Sequence, residues 1–203
     1  LKRKISNQCD VDQKNVINAA DARNIYELPL ILHDEGLDTQ ICDVLRIDAP
    51  LDLTPWREVV ARVEASIAPV RIGLIGKYIE LKDAYKSIAE ALIHAGVSNE
   101  TKVVVDWIHS SKVDEGNVAD KMRNLHGILV APGFGDRGIE GKIRAIRYAR
   151  ENKIPFLGIC LGMQCAVIEF SRNVLGMTDA HSTEMNADTK YPVIDIMEDQ
   201  KKV

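Results

Sequence analysis

The sequence predicts an α/β protein with a doubly wound, mostly parallel sheet, preceded by the helical tail of a second domain. From Val70 onward, apolar runs typical of buried strands alternate with segments whose apolar residues recur at helical spacing. Before residue 50 the chain offers only short amphipathic helices, which are too small to bury a core of their own.

The N-terminal part has clear helix boundary signals. Pro29 and Gly36 bound one short helix, because proline suits the first helical turn and glycine the position after the last. Asp38 is placed to cap a second short helix. We divide the chain into a domain tail, a linker with its helix, and a second domain: residues 1–49, 50–69 and 70–203.

The second domain reads as alternating strands and helices. Its predicted strands are residues 70–76, 102–109, 127–131 and 154–159, with a further strand-like run at 191–197. Its predicted helices are one capped by Asp83 and closed by Gly96, two near 118–125 and 139–149, and one over 165–174.

The segment Gly158-Ile-Cys-Leu-Gly162 lies between a predicted strand and a predicted helix, as in a nucleophile elbow. The glycines allow a sharp turn, and the N-terminus of the helix favours a thiolate at Cys160. We therefore predict that Cys160 is a catalytic nucleophile. Cys165 lies further along the same helix and is predicted to pack in the core.

A second glycine-rich turn, Pro132-Gly-Phe-Gly135, follows the third predicted strand. Together with the elbow it suggests an oxyanion hole, which needs two convergent N–H donors. The backbone N–H groups of Leu161 and Gly133 are the candidates, since Pro132 has none.

A thiolate hydrolase also needs a base, usually histidine, which a carboxylate orients. The chain has five histidines, at positions 33, 94, 109, 126 and 181. His33 lies outside the predicted sheet region, His94 lies on a helix, His109 ends a strand, and His126 precedes a strand on the wrong side of the sheet. No carboxylate follows His181 at a convincing spacing, and we interpret His181 as a polar loop residue. We expect the base to lie beyond residue 203. Glu184 is either a solvated glutamate or a partner for a substrate ammonium group, and its spacing does not decide between them.

Composition narrows the classes of partner. The net charge of −4 argues against nucleic-acid binding, and no apolar run is long enough to span a membrane. The four cysteines have neither disulfide nor zinc spacing, which favours a cytoplasmic protein without a metal site in these residues. The chain starts at Leu1 without methionine, and we expect it to be a fragment.

These motifs resemble a known family. Gly-Ile-Cys-Leu-Gly-Met-Gln164 with the upstream Pro-Gly-Phe-Gly135 turn is similar to the class I glutamine amidotransferases. Within that class, further segments of this chain resemble the CTP synthases and occur in the same order. They are residues 24–29, 33–38, 76–87, 136–141, 149–155 and 181–184.

The resemblance implies a class I glutamine amidotransferase-like fold and a two-part activity. An amidoligase domain binds ATP, UTP and Mg²⁺, and ammonia converts the phosphorylated UTP to CTP. A glutaminase domain supplies that ammonia through a cysteine thioester. GTP as activator and a homotetramer belong to the same expectation. The resemblance further implies that ATP and Mg²⁺ are held mainly by amidoligase residues outside this chain, which alone should not turn over glutamine.

The resemblance also assigns roles to individual residues. Cys160 would be the nucleophile, and Glu184 would hold the amino group of glutamine. The residues implied to contact glutamine or its oxyanion are Gly133, Leu161, Gly162, Met163 and Gln164. Those implied to contact the adenine of ATP are Ala20, Asp21 and Ala22. Those linked to the GTP effect are Lys86, Arg137, Gly138 and Glu140.

Two departures from the family pattern change what these residues can do. The family commonly has Pro-Gly-Gly-Phe-Gly where this chain has Ala131-Pro-Gly-Phe-Gly135, which leaves Gly133 as the loop's donor. Alanine at 20 and 22 replaces lysine and valine, so side-chain contacts with ATP are reduced there.

Two other functions fit parts of the pattern. A cysteine peptidase or stress-response hydrolase could have a similar elbow, but such proteins lack the tail at residues 24–38. A non-catalytic regulatory module is the third reading, and the intact Gly-x-Cys-x-Gly motif speaks against it.

Overall fold

The computed structural model describes residues 1–65, 68–197 and 200, and the chain forms two compact units, residues 1–66 and 67–203. Within the described residues, no helix has both the length and the apolar character needed to cross a membrane. The predicted boundaries at residues 50 and 70 stay predictions.

The first unit is helical. Its helices are α1 (Lys2–Cys9), α2 (Leu28–Asp34), α3 (Leu37–Leu45) and α4 (Thr54–Ala65), with 3-10 turns at Gln13–Asn15 and Ile25–Glu27. Pro29 lies in the first turn of α2, as predicted. Gly36, at φ 83°, separates α2 from α3 and occupies the N-cap position of α3. The prediction that Asp38 caps this helix is therefore wrong.

The interior of the first unit is small. Tyr26 and Val60 are its buried apolar residues among those described, and the Trp56 Nε1 donates a hydrogen bond to the Tyr26 carbonyl at 2.8 Å. Val44 and Leu45 of α3 are 73% and 62% exposed. This agrees with the expectation that these short helices do not bury a core by themselves.

The second unit is built on a four-stranded sheet. Its strands are β1 (Ala68–Gly76), β2 (Thr101–His109), β3 (Gly127–Val130) and β4 (Phe156–Gly158), in the order β2-β1-β3-β4. All three pairings are parallel, and Leu74 lies opposite both Trp107 and Leu129. The predicted parallel sheet is confirmed, and β1 and β3 are central.

Helices connect these strands and cover the sheet. They are α5 (Lys86–Ser98), α6 (Val118–Met122), α7 (Ile139–Glu151) and α8 (Leu161–Asn173), with 3-10 turns at Lys82–Tyr85 and Ser110–Lys112. Alternate strand residues enter two separate cores. Leu74 and Leu129 pack with apolar residues of α5, while Ile75 and Val130 pack with those of α6, α7 and α8. The doubly wound fold is therefore confirmed.

Two boundaries of α5 were mispredicted. Tyr85 occupies the N-cap position, because Asp83 lies inside the preceding 3-10 turn. Gly96 is a buried residue within the helix, where a side chain would meet the Thr101 carbonyl at 2.6 Å. The glycine therefore serves close packing of α5 against the start of β2.

A small second sheet follows α8. Its two strands, β5 (Ala180–Ser182) and β6 (Tyr191–Ile194), are parallel, with an irregularity between His181 and Ser182. The strand predicted over 191–197 thus ends at Ile194. The loop between β5 and β6 contains Glu184.

A buried ion pair joins α7 to α8. The Glu169 side chain is 1% exposed and accepts hydrogen bonds from the Arg150 guanidinium at 2.9 and 3.1 Å. The same pairing holds the pKa of Arg150 above its ordinary value. Asn173 also donates to Glu169, at 3.2 Å.

We expect Glu169→Ala to lower the free energy of unfolding by about 2–3 kcal/mol, because it removes these charged hydrogen bonds from a buried position. Asp120→Ala is the control, since the Asp120–Arg123 pair is exposed and should contribute at most about 1 kcal/mol. Urea unfolding followed by circular dichroism measures both changes. If both substitutions lowered the free energy of unfolding equally, the buried ion pair would not be what stabilises the position of α8.

Candidate active site

The Cys160 backbone is strained. It has φ 52° and ψ −111°, a conformation that residues with a side chain rarely adopt. Cys160 occupies the N-cap position of α8, directly after β4 and Ile159, and its side chain is exposed. The turn therefore presents the thiol to solvent at the carboxyl edge of the sheet, as the elbow motif predicts.

Both elbow glycines are required by close backbone contacts. A side chain at Gly158 would meet the backbone of Gly162 and Met163 at 2.6 Å. A side chain at Gly162 would meet the Val130 carbonyl oxygen at 2.1 Å. The first turn of α8 thus sits directly on β3 and β4, which holds the strained turn in place.

The loop predicted to contribute to an oxyanion hole, Pro132–Gly135, lies beside the elbow and is called the oxyanion loop below. A Cβ atom built on Gly133 would be 3.7 Å from the Leu161 side chain. The backbone hydrogen bonds of the described residues include none donated by the N–H of Gly133 or Leu161. The structure therefore brings together the two residues predicted to donate to an oxyanion.

Two lysines hold the carbonyl groups of this loop and its flank. Lys142 Nζ donates to the Ala131 carbonyl at 2.9 Å, and Lys77 Nζ donates to the Phe134 carbonyl at 3.3 Å. Lys142 is 1% exposed. The Tyr85 hydroxyl in turn accepts the N–H groups of Lys77 and Tyr78, at 3.1 and 3.3 Å.

Gln164 and Glu184, both predicted to contact glutamine, line one cavity of about 570 Å³. Its other lining residues are Ser182, Thr183, Ile194, Asp195, Ile196 and Gln200. Gln164 lies one helical turn after Cys160, and its N–H bonds to the Cys160 carbonyl at 3.1 Å. Met163 is exposed in the same turn, whereas Gly162 is buried beneath it.

The residues predicted to respond to GTP lie mostly at the start of α7. Gly138 is its N-cap residue, at φ 84°, and the Arg137 guanidinium lies 6.0 Å from the centre of the Tyr78 ring. Glu140 is ion-paired with Arg172 at 2.9 Å. Lys86, the first residue of α5, is exposed.

The residues predicted to contact ATP belong to the first unit. Ala20, Asp21 and Ala22 form an irregular segment between the two 3-10 turns of that unit. Ala20 and Asp21 are exposed.

Four of the histidines form hydrogen bonds with groups other than Cys160. The Nδ1 atoms of His109, His126 and His181 accept backbone N–H groups of Ser111, Arg71 and Ser182, respectively. His33 bonds to Asp38 at 2.6 Å. Burial, and then the nearby Arg172, lower the pKa of His181. Within the described residues, none of these four is hydrogen-bonded to Cys160.

Cys165 is fully buried, and burial raises the pKa of its thiol to about 11. It is a core residue in the structure, as predicted. The two thiols of α8 therefore differ sharply: one is exposed at the strained turn, and the other is enclosed.

Sequence reasoning missed the anchoring residues Lys77, Tyr85 and Lys142. A signal for Lys142 existed, since it lies at helical spacing from Ile139 and Ile146 on the apolar face of α7. A lysine at such a position is rarely buried without a partner. The contacts of Lys77 and Tyr85 depend on how separate loops meet.

Family models match most of the chain. The model described as glutamine amidotransferase class-I matches residues 80–202, and the one described as CTP synthase N-terminus matches residues 1–47. The second match counts against a peptidase or stress-response hydrolase, which would lack that region.

Curated relatives and one solved structure are also similar to this chain. CTP synthases of Clostridium acetobutylicum, Methanocaldococcus jannaschii and Christiangramia forsetii are 53%, 54% and 55% identical over the whole chain. The chain spans only 38–39% of their length.

The solved structure is the Trypanosoma brucei CTPS glutaminase domain with bound acivicin. It is 40% identical with a TM-score of 0.59, over 64% of this chain and 50% of that one. These findings confirm the predicted resemblance to CTP synthases.

We expect Gly162→Ala to destabilise the second unit by about 3 kcal/mol, because its Cβ would collide with the backbone of β3. Gly116→Ala is the matched control, since its Cβ would meet only the Asp114 side chain at 3.4 Å, and it should cost less than about 1 kcal/mol. Thermal unfolding measures both. A Gly162→Ala protein as stable as Gly116→Ala would mean that the elbow can relax without strain.

Proposed function

Because this chain belongs to the glutamine amidotransferase class-I family, we propose that it carries the nucleophile and oxyanion donors of a glutamine-hydrolysing site. The observation that carries the proposal is the strained, exposed Cys160 at the N-terminus of α8, next to the oxyanion loop. This geometry suits acyl transfer through a thiolate.

The reaction begins when the Cys160 thiolate attacks the side-chain amide carbon of glutamine. The carbonyl oxygen becomes an oxyanion, which the N–H groups of Gly133 and Leu161 stabilise. When the tetrahedral intermediate collapses, the C–N bond breaks, the nitrogen takes up a proton and ammonia leaves. Water then cleaves the thioester to give glutamate and restores the thiol. The proton transfers need a base, for which a histidine is expected.

Glutamine would occupy the cavity lined by Gln164 and Glu184. The Glu184 carboxylate is exposed, and it would pair with the α-ammonium group of the substrate. Gly162 and Met163 complete the first turn of α8 and would contact the substrate through their backbone. Selection for an amino acid, rather than for a peptide, would follow from this charge pairing.

The whole protein would use the released ammonia for ATP-dependent amination of UTP to CTP. The backbone of Ala20, Asp21 and Ala22 would contact the adenine of ATP, which acts with Mg²⁺. GTP would activate the reaction through Lys86, Arg137, Gly138 and Glu140. The whole protein would form a homotetramer and would be located in the cytoplasm. The identities of the relatives along the whole chain support it.

Acivicin tests the assignment of Cys160. We expect incubation of the 203-residue chain with acivicin to give one adduct, located at Cys160 by tandem mass spectrometry, because this thiol combines exposure with oxyanion donors. Cys160→Ala should remove the adduct and Cys165→Ala should retain it. An adduct spread over the exposed thiols Cys9 and Cys160 alike would contradict the proposed site.

The same chain should not turn over glutamine, because both half-reactions need a base and, in the part of the chain that the structure describes, none of these four histidines is hydrogen-bonded to Cys160. Release of glutamate and ammonia should stay at the background rate seen with Cys160→Ala. Steady hydrolysis that this substitution abolishes would contradict the expectation and would make His181 the first candidate base.

A further inference from the structure

Lys142 is a buried cation next to the proposed site. It lies on the apolar face of α7, is 1% exposed, and donates to the Ala131 carbonyl at 2.9 Å. Burying an ammonium group is unfavourable unless its charge is paired and its N–H groups are hydrogen-bonded. The carbonyl satisfies one of its three N–H donors, and the hydrogen bonds of the described residues give it no carboxylate.

The ammonium lies close to Gly133, one of the two proposed oxyanion donors. The Cβ position of Gly133 is 3.7 Å from Lys142 Nζ and equally far from the Leu161 side chain. Leu161 directly follows Cys160 in the chain. The positive charge is therefore adjacent to the oxyanion loop, and this loop lies next to the residue that follows the proposed nucleophile.

The charges around Lys142 come from three elements. Burial is the largest influence and lowers its pKa, whereas Cys165 and Cys160 of α8 raise it and Lys77, after β1, lowers it. Glu140 and Arg172 act on the enclosed Cys165. A negative charge on Cys160 and the positive charge on Lys142 therefore stabilise each other, and Lys77 adds positive charge to the same region.

We propose that Lys142 is a positioning residue of the glutaminase site: its buried ammonium fixes the oxyanion loop through the Ala131 carbonyl and favours the thiolate of Cys160. The inference rests on the proposed function, because it assigns Lys142 to that site. A lysine kept only for packing would be replaceable by an uncharged side chain of similar length without any effect on the thiol.

The test is the pH profile of Cys160 alkylation by iodoacetamide, which needs neither glutamine nor a base. Lys142→Gln keeps an N–H donor for the Ala131 carbonyl but removes the charge, and Lys142→Met removes both. In each variant we expect the profile to move to higher pH by about one unit, so that alkylation near neutral pH is about threefold slower. The plateau rate at high pH should not fall, since the thiol stays exposed and a more basic thiolate is more nucleophilic.

Arg147→Met is the matched control, because it removes one positive charge from an exposed position on the same helix. Its profile should coincide with that of the parent chain. Protection of Cys165 from iodoacetamide, read from the same mass spectra, reports that the core is intact. If Lys142→Met exposes Cys165, the comparison is made with Lys142→Gln instead. The proposal is overturned if Cys165 stays protected in a Lys142 variant and the pH profile of Cys160 alkylation does not shift.

If both substitutions expose Cys165, Lys142 serves the packing of the fold rather than the thiol, and the proposal fails. Acivicin separates this inference from the proposed function. Absence of an acivicin adduct in the parent chain would count against a glutamine site, whereas a shifted alkylation profile would still connect Lys142 to Cys160. An acivicin adduct together with an unshifted profile would retain the site and remove Lys142 from it.

Discussion

The site depends on a backbone turn that would be unfavourable in isolation. Cys160 has a positive φ, and a residue held in such a conformation costs on the order of 1–3 kcal/mol. Close contact of Gly162 with the Val130 carbonyl prevents the turn from relaxing. The burial of Cys165 and Ile168, together with the Arg150–Glu169 pair, fastens α8 to the rest of the unit. The packing of α8 thus offsets the strain that exposes the thiol.

Hydrogen bonds from polar side chains near this turn also hold the neighbouring loops in place. In a parallel sheet the carboxyl ends of the strands share one edge, so the loops after β1, β3 and β4 meet there. Lys77 and Lys142 bind carbonyl groups on either side of Gly133, while the Tyr85 hydroxyl binds the loop after β1. These contacts hold the oxyanion loop in one conformation, which is the preorganisation that stabilisation of an oxyanion would require. They also concentrate positive charge where the reaction would generate negative charge.

Local patterns predicted the elements better than their ends. The apolar runs of β1 and β3 were assigned correctly, because a central parallel strand is buried on both faces. Asp83 and Gly96 misled the assignment of α5: one lies in a 3-10 turn and the other inside the helix. The apolar residues with helical spacing begin at Cys165, so the sequence pattern predicts that α8 starts there. The helix in fact begins at Leu161, and the next residue, Gly162, packs against β3.

The sequence alone determined the fold class, the elbow and the family, since strand–helix alternation and the Gly-x-Cys-x-Gly motif are local patterns. It also predicted two oxyanion donors: Leu161, because it follows the cysteine, and Gly133, because proline at 132 has no N–H. Only the tertiary structure decided that the ammonium group of Lys142 lies close to Gly133, and that Gln164 and Glu184 share a cavity. The physical reason is that these contacts join segments far apart in the chain, so they exist only when parallel strands bring their ends to one edge.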